Sequence, residues 1–73
     1  MTKTIDIKSR EQVEKISELA SQAPYGVWLS NGAVMLDARS LLGLFALVGK
    51  RASVVVGDHV NPEAFGHLVD QMQ

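Results

Sequence analysis

The hydrophobic pattern near the start of the chain changes from a strand period to a helix period. Polar and apolar residues alternate in Thr4-Ile5-Asp6-Ile7, which predicts a half-buried strand. Ser9 then offers an N-cap, and Gln12 three residues later completes a capping-box pattern. The helix predicted there ends before Pro24 and has one apolar face, formed by Val13, Ile16, Leu19, Ala20 and Ala23.

A hairpin is predicted next, with strands over Tyr25–Ser30 and Ala33–Asp37. Asn31-Gly32 between them is the strongest short signal for a two-residue hairpin turn. Such a turn fixes the register and places Trp28 and Met35 together on the face away from the core. The predicted cross-strand pairs are Ser30 with Ala33, Leu29 with Val34, Trp28 with Met35, and Val27 with Leu36, the second and fourth facing the core.

The second half of the chain predicts two more helices and one more strand. Ser40 is expected to cap a short helix over Leu41–Val48 that Gly49 closes, and a valine-rich strand follows over Ser53–Gly57. Asn61 and Pro62 fit the N-cap and the first position of a last helix. This helix runs to the C-terminus, with its apolar residues at helical spacing: Phe65, Leu68, Val69 and Met72.

Residues 1–73 therefore predict one α+β domain of order β-α-β-β-α-β-α. We expect an open-faced β-sandwich with three helices on one face of a four-stranded antiparallel sheet.

The composition of the chain argues against several kinds of site and partner. The 73 residues include no cysteine, which excludes disulfides and thiolate metal sites, while 47% are hydrophobic, ample for a core built by packing. A net charge of −1 with interspersed signs argues against a nucleic-acid partner. The chain shows no signal-peptide pattern and no apolar run long enough to span a membrane, so we expect a soluble cytoplasmic protein. No cofactor is implied.

Arg39-Ser40-Leu41-Leu42-Gly43, taken with the order of seven elements, resembles the HPr phosphocarrier proteins of sugar phosphotransferase systems. The segment is similar to the Lys-Ser-Ile-Met-Gly or Lys-Ser-Leu-Phe segment of the family's second helix, and the resemblance covers essentially the whole chain. It implies the HPr-like fold, a protein that is not an enzyme, and partners among phosphotransferase-system or regulatory proteins, including an HPr kinase.

Two roles follow from that resemblance for the short second helix. Gram-positive members of the family are phosphorylated on the serine of this segment, a role that would fall on Ser40 here; the simpler alternative is that Ser40 only caps the helix, worth about 1 kcal/mol. Apolar residues cover nearly every side of the helix, so some must be exposed unless the helix is wholly buried. In the family, the residues matching Leu41, Leu42 and Phe45 dock partner proteins, and Arg39 is a further docking candidate.

The family's carrier histidine is missing from its position. It would align near Ser9, where Lys8-Ser9-Arg10 replaces the histidine loop and no arginine-proline pair follows. A serine phosphoester would not keep the transfer potential of a phosphohistidine, so we expect Ser9 to act as a helix cap and histidine relay to be lost. His59, next to Asp58, and His67 on the last helix lack the partners that a catalytic or metal site requires.

Three functions remain open on the sequence alone. The first is a regulatory or adaptor module that keeps docking, with or without phosphorylation at Ser40. The second is a homo-oligomeric module that uses an apolar strip of Trp28, Met35 and Val55 on the bare sheet face. The third is a degenerate phosphocarrier that accepts phosphate on His59 or His67.

Overall fold

The computed structural model describes all residues, 1–73, and has the predicted order of elements. The strands are β1 (Thr2–Asp6), β2 (Trp28–Asn31), β3 (Val34–Asp37) and β4 (Arg51–Val55), and the helices are α1 (Arg10–Gln22), α2 (Leu41–Leu44) and α3 (Pro62–Met72). A single 3₁₀ turn, Phe45–Leu47, follows α2. No helix combines the length and the apolar character that crossing a lipid bilayer requires.

The four strands form one antiparallel sheet in the order β1-β4-β2-β3, with all three helices on one face. Eighteen residues are buried and all of them are hydrophobic, so the space between sheet and helices is a dry core without a buried polar side chain. The α+β open-faced sandwich that the sequence predicts is thus confirmed.

The sheet face away from the helices, called the open face below, follows from strand alternation and cross-strand pairing. It carries a mixture of hydroxyl, charged and apolar side chains. Two polar contacts link its β1 and β4 residues: Thr4 Oγ1 lies 3.2 Å from Ser53 Oγ, and Arg51 Nε donates to Asp6 Oδ1 at 3.0 Å. The open-face residues are Thr2, Thr4, Asp6, Trp28, Ser30, Met35, Asp37, Arg51, Ser53 and Val55.

The hairpin turn lies one residue later than predicted, so each β2 residue pairs with a β3 residue two positions further along the chain. Asn31 pairs with Val34, so Gly32 and Ala33 form the turn. Only Gly32 has a positive φ, 65°, whereas a turn centred on Asn31-Gly32 would need positive φ at both residues. A positive φ at the first central residue alone is the signature of a type II′ turn, which accepts Ala33 at the second position. The observed pairs are Asn31 with Val34, Ser30 with Met35, Leu29 with Leu36, and Trp28 with Asp37.

The register change has a consequence for burial. Leu29, 1% exposed, packs beside Leu36 instead of Val34, and Val34 is 52% exposed. The predicted core position of Val34 is therefore wrong. Trp28 and Met35 are not directly opposite, although both remain on the open face because the two strands alternate in the same way about the new turn.

The second helix is shorter than predicted. Leu41–Val48 is one α-helical turn followed by a 3₁₀ turn, in which Val48 N–H donates to the Phe45 carbonyl at 3.3 Å. Gly49 N–H donates to the Ile7 carbonyl at 2.7 Å and has a φ of 86°. This contact ties the end of the segment to the residue after β1, and the tighter 3₁₀ spacing lets the chain reach it.

Candidate functional site

The start of α1 is built as the capping pattern predicts, with one change. Ser9 Oγ accepts the Gln12 N–H at 3.2 Å. The Gln12 side chain, however, accepts the Lys8 N–H at 2.8 Å instead of the Ser9 N–H. Ser9 therefore acts as the N-cap of a 13-residue helix.

Gln12 also has a long-range role that its sequence position does not reveal. Its Nε2 donates to the Asp6 carbonyl at 2.9 Å and to the Met72 carbonyl at 3.0 Å. One amide thus joins the end of β1, the first turn of α1 and the last turn of α3. The capping box identifies Gln12 locally, but only the fold brings Met72 to it.

Both histidines lie away from the start of α1. His67 is exposed on α3 and lines a shallow groove with Leu19 and Tyr25, near the end of α1. Leu19 is ten residues from Ser9, about 15 Å along a helix axis. His59 follows β4, and its ring lies against Gly57. The end of β4 pairs with Thr2, at the opposite end of β1 from Ser9.

The α2 region exposes part of its apolar surface and buries the rest. Leu44 and Leu47 belong to the core, whereas Leu42 is 83% exposed and Leu41 36%. Phe45 is half-buried against the core. We call Leu41, Leu42 and Phe45, together with Arg39, the α2 patch. Leu42 thus presents an apolar side chain to solvent on a segment whose core contacts are made by Leu44 and Leu47.

Arg10 extends the α2 patch toward α1. Its guanidinium carbon lies 4.9 Å from the centroid of the Phe45 ring, within range of a cation–π contact. Ser17 Oγ on the same helix donates to the Arg39 carbonyl at 3.2 Å. The patch is therefore fixed against α1 by contacts on both sides of α2.

Ser40 occupies the position before α2, but its side chain makes no capping hydrogen bond. Its φ and ψ of −83° and 82° lie outside the extended region in which an N-cap hydroxyl reaches back to the helix. The predicted capping contact is wrong, and the exposed hydroxyl is not engaged by the helix. Ser40 is held through its backbone, with its N–H donating to the Asp37 carbonyl at 2.9 Å and its carbonyl accepting the Leu44 N–H at 3.1 Å.

Arg39 is held by Asp37, the last residue of β3. Arg39 Nη2 lies 2.8 Å from Asp37 Oδ2, Nε lies 3.1 Å from Oδ1, and the Arg39 backbone N–H donates to the same Oδ1 at 2.9 Å. These hydrogen bonds lower the pKa of the Asp37 carboxyl to about 2 and raise the pKa of the Arg39 guanidinium. The two side chains form an exposed, charge-balanced pair directly before Ser40.

On the open face, Trp28 and Val55 are paired directly across β2 and β4. Trp28 is 38% exposed, since its indole folds back over Gly26, where an added Cβ would collide with the ring. Met35 is 58% exposed. Trp28, Met35 and Val55 therefore share the open face, but Trp28 and Val55 lie in one row between Thr2 and Asp37, whereas Met35 lies in the next row beside Ser30.

The structure is similar to the crystal structure of HPr-C-His from Thermoanaerobacter tengcongensis, with a TM-score of 0.73 and 22% sequence identity over 99% of this chain and 90% of that chain. The likeness confirms the HPr fold that the sequence predicts. No protein-family model matches the sequence, and no curated protein matches it significantly.

Proposed function

We propose that this chain is a small HPr-like regulatory or adaptor protein that binds phosphotransferase-system or regulatory proteins through the α2 patch. The observation that carries the proposal is Leu42, which is 83% exposed on a segment whose Leu44 and Leu47 already supply the core. Arg39 and Arg10 border the apolar surface, so a suitable partner combines an apolar groove with acidic groups at its rim. In this proposal the chain has no catalytic activity, needs no cofactor and works in the cytoplasm.

Histidine relay is absent in this proposal. Ser9 is fully used as the α1 cap, and the two histidines lie at other places on the surface. A phosphoryl group on either would be remote from Ser9 and the start of α1. The alternative of a degenerate phosphocarrier predicts acid-labile phosphate after incubation with enzyme I and phosphoenolpyruvate. A protein that gains no phosphate under conditions that load a control HPr would eliminate it.

Ser40 is the proposed regulatory phosphosite. Its hydroxyl is exposed and free of a capping contact, which leaves it available to a kinase. A phosphate there would add a charge of about −1.5 to −2 beside Leu41 and Leu42, and it would compete with Asp37 for Arg39. Since α2 is a single turn, the helix dipole contributes little, and the effect rests on local charge.

Docking can be tested by titrating the ¹⁵N-labelled chain with enzyme I and separately with HPr kinase. We expect chemical-shift changes around the α2 patch and at least a tenfold loss of affinity in Leu42→Glu. Met35→Glu, which makes the same change at an exposed position of the open face, is the matched control and should bind as the parent does. Shift changes confined to the open face would contradict the proposal.

Phosphorylation can be tested by incubation with HPr kinase and ATP, followed by intact mass and peptide mapping. A mass gain of one phosphate that is lost in Ser40→Ala is expected. If the mass does not change under conditions that phosphorylate a control HPr, the proposed regulation at Ser40 is wrong. The proposed docking is tested separately by the titration.

Self-association through the open face is a second candidate, favoured by the direct pairing of Trp28 with Val55. Two such faces could stack with Met35 at the rim. Sedimentation equilibrium of Trp28→Ser against the parent tests this candidate: the parent should dimerise and the variant should not. A parent that remains monomeric at high concentration excludes it.

A further inference from the structure

Strand β3 forms one edge of the sheet and is less protected than the other edge. The order β1-β4-β2-β3 leaves the outer sides of β1 and β3 unpaired. β1 carries an exposed Lys3, the residue type most often used to protect an edge. β3 has no charged residue before Asp37, and its Val34 and Met35 are 52% and 58% exposed.

The hairpin register decides which backbone groups of β3 are free. In an antiparallel pair, alternate residues exchange hydrogen bonds with the neighbouring strand and the others point away from it. Ala38 N–H donates to the Val27 carbonyl at 2.9 Å, continuing the β2–β3 ladder by one step. Ala38, Leu36 and Val34 therefore direct their backbone groups toward β2. The N–H and C=O of Met35, between Val34 and Leu36, point to the free edge.

We infer that two copies of the chain associate by antiparallel pairing of their β3 strands, centred on Met35, to form a continuous eight-stranded sheet. An antiparallel edge can pair with itself about a two-fold axis, the commonest symmetry of soluble dimers. In this register the N–H and C=O of Met35 meet those of Met35 in the second copy. Val34 lies opposite Leu36 of the second copy, which covers the apolar side chain that the fold leaves exposed.

The distribution of charge on β3 favours a second copy as the partner and favours this pairing register over a shifted one. Asp37 lies opposite Ala33 of the second copy, and its charge is already balanced within its own chain by Arg39 at 2.8 Å. A register shifted so that Asp37 faces Asp37 would place two carboxylates side by side, which disfavours pairing. The segment Val34-Met35-Leu36 is uncharged and has an aliphatic residue on each side of Met35. A second copy therefore presents an apolar strand that matches this edge.

The size of the edge sets the expected affinity. A four-residue strand is about 13 Å long, and pairing at this edge covers much less than the roughly 1,600 Å² typical of stable complexes. We therefore expect a reversible dimer with a Kd of about 0.1 to 1 mM. This interface leaves the α2 patch uncovered, so its test is independent of the proposed docking function.

Disulfide cross-linking tests the register, because the chain has no cysteine of its own. Directly opposed hydrogen-bonded residues in an antiparallel pair have Cα atoms about 5.5 Å apart, within reach of a disulfide. Met35→Cys should form a covalent dimer under mild oxidation at about 1 mM protein, where the expected dimer is populated. Ser30→Cys is the matched control, since it pairs with Met35 but lies one strand inside the edge, and it should stay monomeric.

Sedimentation equilibrium supplies the second measurement. The weight-average mass of the unmodified chain should rise toward twice the monomer value as the concentration approaches about 1 mM. Val34→Lys should abolish the rise, and Trp28→Ser, which alters the open face but not the edge, should retain it. A parent that is monomeric at this concentration, a Met35→Cys variant that does not cross-link, or a Ser30→Cys variant that cross-links as readily would each overturn edge pairing.

Discussion

The Arg10 guanidinium lies over the Phe45 ring, with its central carbon 4.9 Å from the ring centroid. Arg10 is the first residue of α1 and Phe45 is the first of the 3₁₀ turn, so the contact joins the two segments that border the α2 patch. The position of Phe45 thus depends on α1 as well as on its own core packing.

The Arg10–Phe45 contact should contribute a small coupling energy. An exposed cation–π pair is worth about 0.5 to 1 kcal/mol, so a double-mutant cycle of Arg10→Ala and Phe45→Leu should give a coupling of that size in urea unfolding. Arg10→Lys should retain part of it. A coupling near zero would mean that the guanidinium merely lies near the ring.

Gln12 should matter more than an ordinary residue of a first helical turn. Gln12→Glu replaces the donor that serves the Asp6 and Met72 carbonyls with a carboxylate, which those carbonyls repel. The expected loss of unfolding free energy is about 1 to 3 kcal/mol, measured by urea denaturation. Gln71→Glu, which makes the same change at an exposed position of α3, is the charge-matched control and should cost less stability than Gln12→Glu.

Asp37 should show a distinct acid titration. Because hydrogen bonds from Arg39 lower its pKa from 3.8 to about 2 in the folded chain, the ionised carboxylate favours folding. This contribution is fully present above the unfolded pKa and is lost as the pH falls from about 4 toward 2. NMR titration of the Asp37 carboxyl carbon should give the lowered pKa, and Arg39→Gln should return it toward 3.8. A normal pKa in the parent would show that the pair is not formed in solution.

Two glycines should respond to alanine in opposite directions. Gly66 lies inside α3 and has no atom near the position of an added Cβ, so Gly66→Ala should stabilise the chain by about 0.5 to 1 kcal/mol. Gly49 has a φ of 86°, which strains any residue with a Cβ, and Gly49→Ala should destabilise it by about 1 to 2 kcal/mol. Thermal unfolding of both variants beside the parent provides the measurement, and equal shifts in Tm would contradict this assignment of backbone strain.

Elements whose signals are local were predictable from the sequence. Ser9 accepts the Gln12 N–H, and Asn61 Oδ1 accepts the N–H groups of Glu63 and Ala64. Both helix starts therefore lie where the cap residues indicate. A cap acts within three residues, so its signal is complete in the sequence.

Features that depend on backbone angles or distant contacts were not predictable in the same way. Asn31-Gly32 and Gly32-Ala33 are both acceptable turns, and the choice between them depends on which residue takes the positive φ. Ser40 has the sequence of a cap, yet its φ and ψ lie outside the usual cap region and its side chain makes no hydrogen bond to α2. The 3₁₀ turn after α2 follows from the Gly49–Ile7 hydrogen bond, which joins segments about forty residues apart.

Different residues of the α2 segment pack in the core and face the solvent. Leu44 and Leu47 anchor the segment in the core, while Leu41 and Leu42 contribute little to it. A polar replacement at Leu42, which is 83% exposed, would leave folding almost unaffected and change only what the surface attracts. The affinity of this surface can therefore be altered without lowering the melting temperature.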